Sequence, residues 1–200
     1  MDKIVDARGL ACPQPVILAK KEIDGGTTEF AVRVDNDTAC ENLRRLASSN
    51  GFIAQVEGAS PDFVLTFSRD GSAIPASSAT PAPEVAVGEG DTAYLITRET
   101  MGGGAEELGA TLMKMFLYTL SQGTDAPGAL LFLNGGVKIP TLNDEAIVHL
   151  KALADRGTDI LVCGTCLNYY GLADQLAVGT VSNMYDIVTR LQASAKAVTL

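Results

Sequence analysis

Residues 3–24 read KIVDARGLACPQPVILAKKEID and set the pattern for the first part of the fold. KIVDA, residues 3–7, predicts a strand, and the apolar residues between Val16 and Ile23 recur with the period of a helix, which predicts a helix over residues 12–24. Proline is favoured at the first helical position, so Pro13 predicts that Cys12 lies at or beside the N-cap. The fold thus begins with a strand that leads through a cysteine into a helix.

Cys12 is the first candidate for chemistry. A sulfur at a helix start faces unpaired backbone N–H groups and the positive end of the helix dipole, and both stabilise a thiolate. The alternative is that Cys12 is a small apolar residue that fills space in the core. The two prolines in CPQP, which both suit a first helical turn, favour the reactive thiol.

The rest of the N-terminal part continues the alternation of strand and helix. The apolar patterns predict strands over 29–35, 53–58 and 62–68 and a helix over 38–50. The order βαβαββ predicts a two-layer sandwich with two helices on one side of a four-stranded sheet. Cys40 lies on the helix beside the apolar rows of Leu43 and Ala47, without a proline or basic neighbour, and is interpreted as a core residue.

A change of composition divides the chain. Residues 71–88, GSAIPASSATPAPEVAVG, are rich in Ala, Ser, Pro and Gly, which is typical of a linker between a domain at 1–70 and a domain at 89–200. The second domain has nearly continuous apolar strands, as in sheets buried on both faces. The pattern predicts an α/β domain with a mostly parallel sheet; its strands are predicted at 93–97, 129–134, 159–164, 176–180 and 197–200, and its helices at 105–122, 143–156 and 182–194.

Three segments follow the strands of this second sheet at its carboxyl edge, where ligands bind in parallel α/β folds. They are TRETMGGGAEELG, NGGVK and CGTCLNYYG. We expect them to gather chemistry-bearing residues around one site, namely Gly102 to Gly104, Asn134, Lys138, Cys163 and Cys166.

The sequence Cys163-Gly-Thr-Cys166 allows three interpretations. A zinc site needs four ligands, and His149 is the only histidine, so metal is disfavoured. A dithiol redox pair has suitable spacing, but Cys163 is predicted to end a strand rather than open a helix. The favoured interpretation is that Cys163 accepts a persulfide and Cys166 resolves it by forming a disulfide. No bound cofactor is predicted.

Other residues near this edge carry weaker signals. The glycine run could bind an anion through backbone N–H groups or be a plain turn. Lys138 could steady a thiolate or be a solvated lysine, and Tyr169-Tyr170 is expected to close a pocket or pack an interface. His149 is expected on an ordinary helix face, with no Ser/His/Asp arrangement around it.

Charge and composition narrow the function classes. The net charge of −9 and the scattered basic residues argue against nucleic acid as a partner. Neither a secretory signal nor an apolar run of membrane-spanning length is seen, which predicts a cytoplasmic protein without membrane association. Four cysteines are too few for a disulfide framework.

The stretch DARGLACPQPV, residues 6–16, resembles the CPxP signature of TusA/SirA-like sulfur carriers, and the βαβαββ order is similar to their fold. The resemblance implies that Cys12 carries sulfur as a persulfide. Residues 91–200 resemble DsrE/F-like domains, in which a cysteine ends a central strand about eight residues before a glycine, as Cys163 and Gly171 do. The resemblance also implies homo-oligomers through the C-terminal domain.

Both domains in this order, with NGGVK, CGTCLNYYGL and VSNMYDI, are similar to the YedF group associated with selenium metabolism. The resemblance implies a sulfurtransferase-like carrier: Cys12 takes sulfur or selenium from a cysteine desulfurase or another donor and hands it to an acceptor protein or to Cys163. The alternative is a non-enzymatic interaction or redox-regulatory module in which Cys163 and Cys166 switch between dithiol and disulfide. The sequence leaves open which atom is moved and whether transfer occurs within one chain.

Overall fold

The computed structural model of the chain describes residues 3–69 and 92–200. These residues form two compact units, each with its own sheet and core. The predicted linker, residues 71–88, lies outside the described residues, so the domain boundaries stay a prediction. No helix of the described ranges is long and apolar enough to cross a membrane.

The N-terminal unit has the predicted βαβαββ order. Its strands are β1 (Ile4–Asp6), β2 (Glu29–Val34), β3 (Ile53–Ala59) and β4 (Asp62–Ser68), and its helices are α1 (Gln14–Asp24) and α2 (Asp37–Ser49). The sheet order is β1-β2-β4-β3, with β1 parallel to β2 and the other pairs antiparallel. The predicted fold class of this unit is confirmed.

The core of the N-terminal unit lies between the sheet and the two helices. Phe30 and Phe67 stack with their ring centroids 4.7 Å apart, and Phe52 packs against the edge of Phe30. Helix α2 is fixed at its start by Asn36, whose side-chain oxygen accepts a hydrogen bond from the N–H of Ala39. Its buried face includes Cys40, which is 3% exposed and confirms the prediction of a core cysteine.

The C-terminal unit is an α/β domain in which all five strands of the described sheet are parallel. Its strands are β5 (Thr92–Ile96), β6 (Ala129–Phe132), β7 (Asp159–Cys163), β8 (Thr180–Ser182) and β9 (Lys196–Thr199), in the order β8-β7-β6-β5-β9. Its helices are α3 (Glu106–Gln122), α4 (Ile139–Leu142), α5 (Asp144–Asp155), α6 (Gly164–Tyr170) and α7 (Met184–Gln192).

Two differences from the prediction bear on the site. The segment NGGVK forms a 3-10 helix, Asn134–Lys138, that runs into α4. CGTCLNYYG contains helix α6, which begins directly after the last residue of β7, so Cys163 both ends a strand and caps a helix. The expectation that this cysteine ends a strand instead of opening a helix was therefore wrong in its second half.

Candidate functional site

The first site lies in the loop between β1 and α1. The backbone N–H of Gly9 donates a hydrogen bond to a carboxylate oxygen of Asp35, with 2.6 Å between the nitrogen and the oxygen. Gly9 has a φ of +72°, a conformation that glycine adopts readily. This contact fastens the loop that leads to Cys12 to the end of β2.

Cys12 lies directly beside the N-cap, within the prediction that it lies at or beside this position. The cap residue is Pro13, the first helical residue is Gln14, and the N–H of Gln14 donates to the carbonyl of Ala11. The helix begins one residue later than expected, and the N–H of Gln14 is already bonded to the carbonyl of Ala11, so this donor is engaged elsewhere than at the sulfur of Cys12. Pro15 lies in the first turn as predicted.

The sulfur of Cys12 is half-buried and has a polar neighbour on the second helix. The side-chain amide nitrogen of Asn42 lies 3.8 Å from Sγ and donates toward it. Asn42 is only 1% exposed, and its side-chain oxygen accepts a hydrogen bond from Arg45 at 3.2 Å. The amide is thus oriented by Arg45 so that a donor points at the sulfur.

Asn42 was not identified from the sequence, although a signal was present. It shares the buried face of α2 with Ala39, Leu43 and Leu46, so a polar residue interrupts an otherwise apolar stripe. A buried amide normally keeps hydrogen-bond partners, because desolvating it without them is costly. The interruption therefore indicates polar partners for Asn42, and these include Cys12 and Arg45.

The second site lies at the carboxyl edge of the parallel sheet. Cys163 is 3% exposed and belongs to the core of the unit, whereas Cys166, in the first turn of α6, is half-buried. Burial is the largest influence on Cys163 and raises its pKa to about 11, although the nearby N–H groups of Cys166 and Thr165 act in the opposite direction. The thiol of Cys163 is therefore protonated at neutral pH.

Cys166 receives a backbone hydrogen bond from the neighbouring strand connection. The N–H of Asn134 donates to its sulfur, with 3.2 Å from nitrogen to Sγ. Asn134 has a φ of +46°, in the left-handed region that asparagine tolerates better than most residues. Its side-chain oxygen accepts a hydrogen bond of 2.9 Å from the hydroxyl of Tyr170.

A close approach of backbone to backbone fixes this turn. A side chain at Gly136 would place its Cβ 2.2 Å from the carbonyl oxygen of Ile96, so only glycine fits there. The N–H of Leu133 also donates to the carbonyl of Ile96. The turn after β6 is thus held against the end of β5, which positions Asn134 beside Cys166.

A cleft of about 370 Å³ opens beside this turn. It is lined by residues 97–100, Glu106, Asn134, Gly135, Lys138 and Tyr170. Lys138 pairs with Glu99 at 2.7 Å, and this ion pair raises the pKa of the lysine, which stays positively charged. Its ammonium also lies 5.4 Å from the ring centre of Tyr170.

The structure brings together most of the residues predicted to meet at this edge. Asn134, Lys138, Cys163 and Cys166 are connected as described, and the carbonyl of Gly102 accepts a hydrogen bond of 3.4 Å from Arg98. Gly103 and Gly104 are exposed and do not line the cleft. Tyr170 is one of the residues that line the cleft, whereas Tyr169 is 83% exposed.

His149 lies apart from this site. It is on α5, with its ring edge-to-face to Tyr118 and its Nδ1 3.4 Å from the hydroxyl of Ser121. Within residues 3–69 and 92–200, no three His, Cys, Asp or Glu side chains are grouped so that they could hold a metal ion.

Comparison with known proteins assigns the two units to different families. The family described as Sulfurtransferase TusA matches residues 3–66, and the DsrE/DsrF-like family matches residues 101–200. No curated protein sequence matches the chain. TusA is a family of sulfurtransferases, which supports a role in carrying sulfur.

Two solved structures are similar to parts of the chain. A SirA-like protein from Desulfitobacterium hafniense is 34% identical, with 32% of this chain and 92% of that chain covered and a TM-score of 0.30. The ychN protein from E. coli is 15% identical, with 55% of this chain and 99% of that chain covered and a TM-score of 0.38.

Proposed function

Because the chain belongs to the DsrE/DsrF-like family through its C-terminal half and carries a sulfurtransferase match at its N-terminus, we propose that it relays sulfane sulfur between two thiol sites. Cys12 accepts the atom from a donor such as a cysteine desulfurase and holds it as a persulfide. It then passes the atom to the Cys163/Cys166 pair or to an acceptor protein. Similarity of the motifs to the YedF group extends the proposal to selenium, carried as a perselenide.

The observation that carries this proposal is the placement of Cys12. A persulfide carrier needs a sulfur that a partner can reach, since transfer proceeds by thiolate attack on that sulfur. Cys12 is half-buried and faces a donor amide, whereas Cys40 in the same unit is buried and its pKa is raised by that burial. The accessible cysteine is the one in the motif.

The difference in burial between Cys163 and Cys166 supports separate roles for the two cysteines. Burial makes Cys163 a poor first acceptor, so we assign acceptance to Cys166 and give Cys163 the resolving role, the reverse of the order expected from the sequence. Attack of the Cys163 thiolate on the inner sulfur of a Cys166 persulfide would form the disulfide and release hydrosulfide, HS⁻. Carrying both sites on one chain raises the effective concentration of one near the other.

Loading of Cys12 is tested by intact mass after incubation with a cysteine desulfurase and cysteine. We expect the chain to gain the mass of one sulfur atom, and to lose this gain in Cys12→Ser. Cys40→Ala is the matched control, because it removes a cysteine of the same unit without touching the accessible one. A chain that gains no sulfur, or gains it equally in Cys12→Ser, would contradict the proposal.

Onward transfer is tested in the full chain by trapping persulfides and digesting the protein. We expect sulfur on the peptide that contains Cys163 and Cys166, and we expect Cys166→Ser to abolish it. If the donor loads this peptide equally well in Cys12→Ser, the two sites act independently and no relay exists.

A redox switch is the second candidate, and the position of Cys163 favours it. The cysteine caps α6, so the pair has a cysteine at a helix start, as dithiol oxidoreductases do. A redox titration separates the candidates. A reversible dithiol/disulfide couple at Cys163 and Cys166, together with a Cys12 that takes up no sulfur, would favour the switch.

A further inference from the structure

The cleft of the C-terminal unit and the thiol of Cys166 share one residue. Asn134 donates its backbone N–H to the sulfur of Cys166, and the same residue lines the cleft and accepts a hydrogen bond from Tyr170, another lining residue. Cys166 itself does not line the cleft, but its sulfur lies 3.2 Å from the backbone nitrogen of Asn134, which does, so a molecule held at the Asn134 end of the cleft would be close to the sulfur. The cleft volume, about 370 Å³, falls within the range of small-molecule sites.

The lining of the cleft carries both signs of charge. Lys138 and Glu99 form an ion pair at 2.7 Å and largely satisfy each other. Arg98 and Glu106 are the other two charged residues of the lining, and both are exposed. Among the residues that the structure describes, Arg98 makes one long hydrogen bond, 3.4 Å to the carbonyl of Gly102, so within this part of the chain most of its five guanidinium donors remain for a ligand.

These charges define the ligand by its chemistry. Arg98 offers a planar pair of donors that suits a carboxylate, and Glu106 offers a carboxylate that suits an ammonium group. A purely anionic ligand would meet repulsion from Glu99 and Glu106, and a purely cationic one would meet Lys138 and Arg98. A small molecule with one carboxylate and one ammonium group meets a partner for each.

We propose that this cleft binds a zwitterionic low-molecular-weight thiol, an amino acid or short peptide, whose persulfide delivers sulfur to Cys166. The inference rests on the proposed role of Cys166 as a sulfur acceptor. The Cys166 thiolate attacks the outer sulfur of the bound persulfide, RSSH, and a new S–S bond forms at Cys166. The S–S bond of the donor breaks, its electron pair leaves on the thiolate RS⁻, and the proton of the terminal sulfur travels with the transferred atom. The exchange needs no oxidant or reductant.

Three persulfides that differ in which charged groups they carry test the proposal on the full chain. They are the persulfides of cysteine, which is zwitterionic, of 3-mercaptopropionate, which lacks the ammonium group, and of cysteamine, which lacks the carboxylate. The rate of persulfide formation at Cys166 is followed by mass spectrometry in a Cys12→Ser background. We expect cysteine persulfide to react about fivefold to tenfold faster than either of the others, since each charge-assisted contact is partly exposed.

Two substitutions test which residue recognises the carboxylate of the ligand and which recognises its ammonium group. Arg98→Ala should remove the advantage of cysteine persulfide over cysteamine persulfide, and Glu106→Gln should remove its advantage over mercaptopropionate persulfide. Glu107→Gln and Lys151→Ala are matched controls, because these exposed residues do not line the cleft. Equal rates for the three persulfides, or an advantage that persists in both cleft variants, would overturn the inference while leaving acceptance by Cys166 intact.

Binding is measured separately with S-methylcysteine, which cannot transfer sulfur. Saturable shifts of the Asn134 and Tyr170 NMR signals, weakened in Arg98→Ala, support the zwitterion site even if no persulfide loads Cys166, in which case the proposed role of Cys166 fails by itself. Absence of such shifts in the unmodified chain contradicts the site.

Discussion

The sulfur of Cys12 and the sulfur of Cys166 both face an asparagine, but they contact different parts of it. In the N-terminal unit the donor is the side-chain amide of Asn42, 3.8 Å from the sulfur. In the C-terminal unit the donor is the backbone N–H of Asn134, 3.2 Å from the sulfur. A side-chain donor disappears when the residue is replaced, whereas a backbone donor depends only on the path of the chain.

The comparison teaches how each fold can supply a donor to a thiol. The mostly antiparallel sheet of the first unit is covered by helices on one side, and a residue of α2 reaches the loop before α1 from within the core. In the second unit, parallel strands end side by side, so the turn after β6 meets the helix after β7 directly. The first site is built by packing and the second by topology.

The largest expected effect is the low reactivity of the buried thiol of Cys163 in the C-terminal site. Burial raises the pKa of Cys163 from 9.0 to about 11, so at neutral pH its thiolate fraction is about a hundredfold lower than that of an unshifted thiol. We expect iodoacetamide to modify Cys166 well before Cys163 near neutral pH. The rate at Cys163 should rise about tenfold per pH unit as the pH approaches the raised pKa.

The raised pKa of Cys163 also predicts how two properties depend on pH: the rate at which Cys163 forms a disulfide with a Cys166 persulfide, and the stability of the C-terminal unit. Disulfide formation from a Cys166 persulfide should accelerate as the pH rises, because Cys163 attacks as a thiolate. The neutral thiol is favoured in the folded unit, so its contribution to stability is complete below the ordinary thiol pKa and is lost as the pH rises toward about 11. Equal modification of the two cysteines by peptide mapping at neutral pH would contradict this assignment.

A substitution at Gly136 should displace the turn that positions Asn134 beside Cys166. In Gly136→Ala the new Cβ would lie 2.2 Å from the carbonyl oxygen of Ile96, and the turn must move away from β5. We expect the free energy of unfolding to fall by about 3 kcal/mol. In Gly135→Ala the Cβ would lie 3.7 Å from the Cα of Arg98, an ordinary contact, so this control should be tolerated.

Tyrosine fluorescence during chemical denaturation measures the unfolding of the C-terminal unit, in which Gly136 lies. The five tyrosines of the chain all lie within residues 92–200, and the chain has no tryptophan. If Gly136→Ala and Gly135→Ala unfold at the same denaturant concentration, the turn is not fixed by its approach to β5.

The sequence predicted the elements better than it predicted the sites. Regular apolar periods predicted most strands and the long helices, whereas the strand expected at 176–180 lies at Thr180–Ser182. Cys40 was recognised as a core residue because it lies on an apolar row. Helix α6 was missed because GTCLNYY is only seven residues long and lies between a strand and Gly171, so no period could develop. Short helices of this kind depend on tertiary contacts.

The contacts around each sulfur could not be read from the sequence for a physical reason. Asn42 is 30 residues from Cys12, and Asn134 is 32 residues from Cys166. Distances of this kind are set by how the layers pack and not by local pattern. Burial of Cys163 follows from the same packing, so the sequence could not show which of the two cysteines in the motif is the more exposed.

A moderate effect is expected when the side-chain donor of the first site is removed. Asn42→Ala deletes the amide that faces Cys12, which should slow sulfur loading and alkylation of Cys12 by about fivefold, in line with the loss of one hydrogen bond of about 1 kcal/mol. Cys166 in the same molecule is the internal reference, since its donor is untouched. Circular dichroism checks that the variant is folded, and an unchanged rate at Cys12 would show that Asn42 only packs.

The smallest effect is expected for the matching change at the second site, Asn134→Gly. Glycine adopts the φ of +46° without strain and keeps the N–H that donates to Cys166, so the alkylation rate of Cys166 should stay within about twofold of the original. Asn134→Ala also keeps the N–H but pays about 1 kcal/mol for the left-handed backbone. Both variants lose the acceptor for the Tyr170 hydroxyl, so a loss of Cys166 reactivity in both would assign the effect to that side chain. In that case the second site, like the first, would depend on an asparagine side chain, and the contrast between the two units would fail.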